Sequence, residues 1–249
     1  MLHHRLRAAS GARRSGDTPL DYVAAWYAED ASGTSQPDRS GNGYTGLATG
    51  ATLASDVWFF DGVDDRVVFG DVLDSLLSGS NQKFSFTIRA SCTSSSSNQA
   101  LISKLGDSTL GEENRQFLFR LQSGVPQFLW NSTTDSTIYR GVEVAGGPDL
   151  RGHGEVEVTM CYDGAINTNN GRDRLKFYIS GVEYSPYLSL TRGSLLGIAN
   201  STAQLSLGAA VGSANTTAAY PFGGSVKRVA VFDRTLSLSD HEYFNSEVI

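Results

Sequence analysis

In run after run of this chain, apolar residues return at every second position. Phe84, Phe86, Ile88 and Ala90 alternate with Ser85, Thr87 and Arg89. Val156, Val158, Met160 and Tyr162 alternate with Glu157, Thr159 and Cys161, and Leu175, Phe177 and Ile179 follow the same rule. Successive strand residues point to opposite faces, so this period marks half-buried β-strands. Residues 21–27, 100–104, 115–122, 125–130, 137–144, 204–211 and 226–232 read as further strands. Ser123-Gly124 joins two of them, and Asn170-Gly171 is a strong hairpin signal. One helix is expected, over residues 238–245, with Ser237 as its cap and Asp240 facing the dipole in its first turn. About a dozen short strands with Gly- and Asn-rich turns predict a two-sheet antiparallel β-sandwich with a short C-terminal helix.

Residues 57–69 hold two apolar runs, Val57-Trp58-Phe59-Phe60 and Arg66-Val67-Val68-Phe69, around the connector Asp61-Gly62-Val63-Asp64-Asp65. The short connector with its glycine predicts a hairpin. Asp61, Asp64 and Asp65 make it the densest acidic point of the chain, in a setting where Asp commonly bonds nearby backbone amides.

With 249 residues, 40% hydrophobic and 18% charged, the chain can bury a core that needs neither disulfide nor metal. Cys92 shares a face with the apolar stripe of its strand, whereas Cys161 alternates with Val158, Met160 and Tyr162, so parity argues against a bond between them. No apolar run reaches the roughly 18 residues of a membrane helix, and the N-terminus does not read as a secretory signal. Four of the 20 basic residues, Arg5, Arg7, Arg13 and Arg14, fall in the first 14 positions, so residues 1–19 read as a basic flexible arm on an acidic body, residues 20–249. Such a body excludes general nucleic-acid binding. Membrane insertion is likewise not expected, and self-association into a homo-oligomer is left open.

The order of the segments resembles the laminin G-like jelly roll of the concanavalin A-like lectin/glucanase superfamily. The resemblance rests on Tyr22 to Gly46, with its Asp38-Arg39-Ser40-Gly41-Asn42-Gly43 segment; on Phe60-Asp61-Gly62-Val63-Asp64-Asp65; and on Ile102-Ser103-Lys104. Tyr162-Asp163-Gly164, Phe177-Tyr178-Ile179-Ser180-Gly181 and the stretch from Phe222-Gly223-Gly224 to Leu236-Ser237 complete it. It implies a concanavalin A-like jelly roll. It does not imply one function, because the fold carries lectins, adhesion modules, glycosidases and virion parts.

Glycosidases of this superfamily carry an acid-x-acid-x-acid strand, and the nearest match, Glu155-Val156-Glu157, has Thr159 where a third acid would stand. Glu155 and Glu157 are therefore expected to be solvated, non-catalytic residues. Glu112 and Glu113 are adjacent and would diverge in a strand, the four histidines are scattered, and no Gly-x-Ser-x-Gly elbow is present. Asp38, Ser40 and Asn42, followed by Gly43, offer the first half of a calcium loop, with Asx-type turn bonding as the competing use of the same oxygens. Thr49 stands at the twelfth position, and Lys227-Arg228 occupies positions where the family commonly has two acids. No cofactor is required, and calcium is an option at that loop.

For sugar binding, Trp130, Asn131 and Tyr139 are the candidates, an aromatic–amide set beside polar loops, with core packing as the competing fate of the aromatics. The sequons at Asn131, Asn200 and Asn215 read as chance in a Ser/Thr-rich chain. The resulting expectation is a non-enzymatic recognition module displayed on a virion surface or outside the cell. It would bind a glycan or cell surface and dock on a capsid or tail protein through the basic arm. A free-standing lectin or adhesin is the alternative, and a polysaccharide hydrolase the third reading.

Overall fold

The computed structural model describes residues 21–79, 82–105, 115–131, 139–164, 174–192, 197–211 and 218–246, so the basic arm lies outside the described residues. In chain order the strands are β1 (Ala24–Tyr27), β2 (Ser35–Gln36), β3 (Gly46–Thr49), β4 (Thr52–Ala54), β5 (Val57–Asp61) and β6 (Arg66–Gly70). After a one-turn helix α1 (Asp74–Leu77) come β7 (Lys83–Cys92), β8 (Asn98–Leu105), β9 (Arg115–Gln122), β10 (Val125–Asn131) and β11 (Tyr139–Val144). Then follow β12 (Val156–Asp163), β13 (Leu175–Ile179), β14 (Val182–Tyr184), β15 (Pro186–Arg192) and β16 (Leu205–Leu207). The small hairpin β17 (Ala210–Val211) and β18 (Ala218–Ala219), the long β19 (Gly223–Phe232) and helix α2 (Leu238–Ser246) complete the chain.

The expected architecture is present: two antiparallel sheets packed face to face. One has eight strands in the order β14-β13-β12-β7-β19-β5-β4, with β1 also paired to β19. The other has nine, in the order β15-β11-β10-β9-β8-β16-β6-β3-β2. Alternation supplies the core between them. Phe84, Phe86, Phe177, Val158 and Met160 from the first sheet meet Phe117, Phe119, Phe128, Trp130 and Val142 from the second in one buried cluster. Rings cross the gap directly: Phe86 stacks on Phe117 at 5.1 Å, Phe84 lies 6.2 Å from Phe128, and Phe119 lies 6.4 Å from Phe177. Cys92 sits in this cluster and Cys161 in a separate one, both as free buried thiols, as parity requires.

Residues 57–69 do not form a hairpin. β5 pairs with β4 and β19 in the eight-stranded sheet, while β6 pairs with β3 and β16 in the nine-stranded one. The acidic connector is therefore a corner that carries the chain from one sheet to the other. Asp65 Oδ2 accepts the Asp61 N–H at 2.8 Å and Asp61 Oδ1 accepts the Val63 N–H at 2.8 Å, so carboxylates fill the connector's backbone bonds locally. Gly62 takes φ +83°, and Gly50 passes so close to Asp65 that a Cβ there would lie 2.0 Å from Oδ1. Hairpin and corner share the same local sequence signal; burial of Trp58 and Phe60 in one layer and Val67 and Phe69 in the other distinguishes them.

Between β9 and β10, Ser123 and Gly124 both have positive φ, 51° and 86°, the two-residue turn expected there. β12 and β13 pair as expected, while the Asn170-Gly171 turn lies outside the described residues. Helix α2 forms where its cap predicted. Asp240 Oδ2 accepts the Ser237 N–H at 2.7 Å and the Ser237 Oγ accepts the Asp240 N–H at 3.4 Å, a reciprocal cap. α2 lies on the outer face of the eight-stranded sheet, where Phe244 and Leu236 cover Tyr27, Ala25, Ala230, Phe232, Cys161 and Tyr178. Beyond this helix the structure adds α1 and a 3-10 turn at Ala28–Asp30.

Arg234 bonds both oxygens of Asp240 at 2.8 Å and, against the opposing effect of burial, holds its carboxyl well below the usual carboxylate range; Ser237 adds to the effect. A carboxyl with a depressed folded pKa stabilises the fold above its unfolded pKa of about 3.9 and loses that contribution as pH falls. Asp240→Asn is therefore expected to cost about 1 kcal/mol at pH 7. In urea titrations from pH 7 to pH 2 the gap to the parent should close below about pH 4.

Candidate functional site

The residues singled out for sugar binding are divided by the pleat. Trp130 points between the sheets, is fully buried, and packs on Phe128 at 5.6 Å and Tyr162 at 6.3 Å. Core packing has claimed it, so its ring is not a sugar platform. All three tryptophans are core residues, and Trp26 and Trp58 also donate their indole N–H, to the Tyr44 carbonyl and to Gln36 Oε1, both at 2.6 Å. Asn131, one residue further along β10, lies on the opposite, outer face of the nine-stranded sheet. Tyr139 is its register partner on β11, placed here by its backbone.

The Asp38–Asn42 loop uses its oxygens on its own chain. Asp38 Oδ1 accepts the N–H groups of Ala25 and Ser40, each at 3.0 Å. Its Oδ2 accepts the Ser40 hydroxyl at 2.7 Å and the Tyr44 N–H at 3.2 Å. Asn42 donates its amide to the Val23 carbonyl at 2.9 Å. Four donors thus occupy the carboxylate and hold the loop against β1. Arg39, inside the loop, bonds Asp30 and Glu29 at 2.7 Å and lies 4.1 Å over the Tyr27 ring. These are the bonds of an Asx-type turn, the competing use of the same oxygens.

Glu157 departs from its expected solvated state. It is 2% exposed beneath α2, with Oε1 2.9 Å from His241 Nδ1 and 3.2 Å from Thr159 Oγ1. The docked helix, invisible to strand parity, encloses it. Glu155 stays at the surface, paired with Arg89. Asp61, Asp64 and Asp65 bring carboxylate oxygens within 4.8 Å of one another, close enough to share a cation, but their observed work is the corner described above. Burial, and the neighbouring Asp61 and Asp64 charges, push the Asp65 carboxyl upward, with the Asp61 N–H acting in the opposite sense.

A different set of residues converges on the outer face of the nine-stranded sheet. Arg120 on β9 is directly opposite Gln127 on β10, Gln127 opposite Glu143 on β11, and Glu143 opposite Tyr187 on β15. Register partners share a face, so the four form a row across adjacent strands, about 14 Å long at the usual inter-strand spacing. Arg120 Nε donates to Gln127 Oε1 at 2.7 Å, and Gln127 Nε2 to Glu143 Oε2 at 3.3 Å. At the other end the Arg120 guanidinium lies 5.7 Å from the ring of Tyr220, whose backbone carbonyl accepts the Ala100 N–H from β8 at 2.7 Å. Tyr187 is 54% and Tyr220 38% exposed, whereas Arg120 is 9% exposed. The row is thus a recessed polar floor between two open phenols.

Burial pushes the Arg120 pKa down from its ordinary value, with Tyr220 and Glu143 acting in the opposite sense; the guanidinium remains charged. Along β9 and β10, the next outward positions are apolar, Leu118 and Leu129, and those beyond are amides, Gln116 and Asn131. Gln116 is fully buried and neither of its amide atoms has a partner among the described residues. Donors, acceptors and an aromatic at each end suit a polyhydroxylated ligand with polar edges and an apolar face. No short sequence motif marks these residues, because they come from four strands and the segment after β18. The available signal was the polar stripe Gln116-Arg120-Gln122 on a strand whose other stripe is core.

No family model matches this chain, and no curated protein matches it. Among solved structures, the ligand-binding domain of botulinum neurotoxin serotype D in complex with N-acetylneuraminic acid is similar at TM-score 0.57 and 12% identity, over 91% of this chain and 51% of that one. Trypanosoma rangeli sialidase in complex with sialic acid is similar at TM-score 0.53 and 12% identity, over 89% of this chain and 32% of that one. The CBM40 module of Ruminococcus gnavus IT-sialidase, bound to α2,3-sialyllactose, is similar at TM-score 0.50 and 19% identity, over 80% of this chain and 97% of that one. This chain spans about half the length of the toxin domain and a third of the T. rangeli sialidase. At these identities the likeness shows the fold alone: an all-β, two-sheet antiparallel sandwich of jelly-roll type.

Replacing a buried, unsatisfied amide by an apolar group of similar volume removes a desolvation cost. Gln116→Met is accordingly expected to raise unfolding stability by about 1–3 kcal/mol, read as a higher urea midpoint at unchanged slope.

Proposed function

We propose that the chain is a non-catalytic glycan-binding module of lectin type, working through the outer face of its nine-stranded sheet. The observation that carries this reading is the Arg120–Gln127–Glu143 row, polar and recessed, bounded by the exposed rings of Tyr187 and Tyr220. Aromatic faces at both ends and bonded polar groups between them are what a sugar's apolar face and hydroxyl edge require. The three similar structures, each solved with a sialic acid or sialoside, support the same reading. The laminin G-like order of its segments supports a recognition role, since the fold it resembles carries lectins and adhesion modules. Such a ligand puts its work outside the cell or on a particle surface.

The non-catalytic part of the proposal draws on the acids. Glu157 is enclosed beneath α2, Glu155 is paired with Arg89, and Glu143 belongs to the bonded row. The virion reading rests on the basic arm, which lies outside the described residues, and no described residue adds to it; the free-standing lectin is the better-supported form.

Glycan-array binding followed by calorimetry tests the proposal. Tyr187→Ala and Tyr220→Ala should each weaken binding about tenfold or more, a loss typical of one aromatic contact, with unchanged thermal midpoints. Undiminished binding by both variants, or turnover of the bound glycan, would contradict it.

A further inference from the structure

We infer that Arg120 reads a carboxylate, so that the ligand class of this face is an acidic sugar rather than a neutral one; the inference rests on the glycan-binding reading above. Arg39, Arg89, Arg151, Arg228 and Arg234 each pair with an Asp or Glu. Arg120 is an exception. It is 9% exposed in a chain of net charge −6, yet among the described residues no carboxylate forms an ion pair with it, and Glu143 acts on it only through space. A largely buried charge ordinarily takes a counter-charge, because desolvation is otherwise uncompensated.

The side chain is also held in a usable pose. Gln127 accepts from Nε and is itself held by Glu143, which fixes the guanidinium plane. No described contact uses the two terminal nitrogens, and neither is among the buried unpartnered atoms. They present the end-on fork of the group, whose parallel N–H bonds match the two oxygens of a carboxylate. Glu143 selects further. Its charge raises the Arg120 pKa through space and opposes a dianion such as a phosphate monoester, while a single negative charge is matched by the guanidinium. Tyr220 flanks the cation, and the exposed Tyr187 ring at the far end of the row is left for the body of the sugar. Sialic acids and uronic acids share this chemistry, a carboxylate on a polyhydroxylated ring.

The test is calorimetric titration of the full chain with α2,3-sialyllactose, its carboxyl methyl ester, lactose, an oligogalacturonate and a 6-sulfated galactoside. The inference predicts binding of sialyllactose or the oligogalacturonate, and the arm that binds distinguishes the two sources of the carboxylate. Binding should weaken about ten- to a hundredfold on esterification, the scale of a lost charge-assisted hydrogen-bonded pair, and fall as salt is raised. Arg120→Met should bind acid and ester alike, and Arg120→Lys should recover only part of the preference. The ester comparison uses the parent protein, so it stands even where an Arg120 variant folds poorly. Equal affinity for acid and ester, or preference for the sulfated or neutral sugar, overturns the carboxylate inference and leaves the lectin reading intact. Binding of none of these probes, together with a blank glycan array, overturns both.

Discussion

The contact on which everything else depends is the set of aromatic rings that meet between the two sheets. Phe86 against Phe117, Phe84 against Phe128 and Phe119 against Phe177 lock β7 and β13 of one layer onto β9 and β10 of the other. Because strand side chains alternate, committing Phe117 and Phe119 to the inside commits Leu118 and Arg120 to the outside. The polar row on the outer face is a consequence of the core. Its order is set by register, which brings Arg120, Gln127, Glu143 and Tyr187 into line from four strands.

The two outer faces are then used differently. On the eight-stranded sheet, α2 closes over Tyr27, Cys161, Phe232 and Tyr178, and takes Glu157 and His241 into the interior with it. That face is spent on stability. On the nine-stranded sheet, β17 and Tyr220 pack against β8 and leave the Arg120 row recessed but not sealed, with exposed phenols at both ends. A charged group partly withdrawn from water and held in no direct ion pair among the described residues is costly for a folded chain to keep, which makes Arg120 informative about what the face receives.

Much of the fold could be read from residues in order. Period-two stripes located most strands, Ser123-Gly124 marked a real two-residue turn, and Ser237 with Asp240 marked a real helix start. The failures share a physical cause, long-range pairing that no local pattern encodes. The Asp61–Asp65 connector satisfies every local demand of a hairpin, yet its flanking strands belong to different sheets. Glu157 alternates like a solvated residue and is buried because a helix more than 80 positions later docks on it. Trp130 sits near a polar loop in sequence, but its parity sends it inward while Asn131 goes outward. The Arg120 row was invisible for the same reason, since register is fixed by pairing partners and not by composition.

A single titration followed by nuclear magnetic resonance tests the central claim most directly, with the arginine side-chain N–H and tyrosine ring signals observed as an acidic glycan is added. The account predicts that the Arg120 Nε–H and the rings of Tyr187 and Tyr220 shift together and saturate at one affinity, while the Asp38–Asn42 loop and the buried Trp130 indole stay in place. Shifts centred on that loop or on the Asp61–Asp65 corner, with the Arg120 signal unmoved, would contradict it.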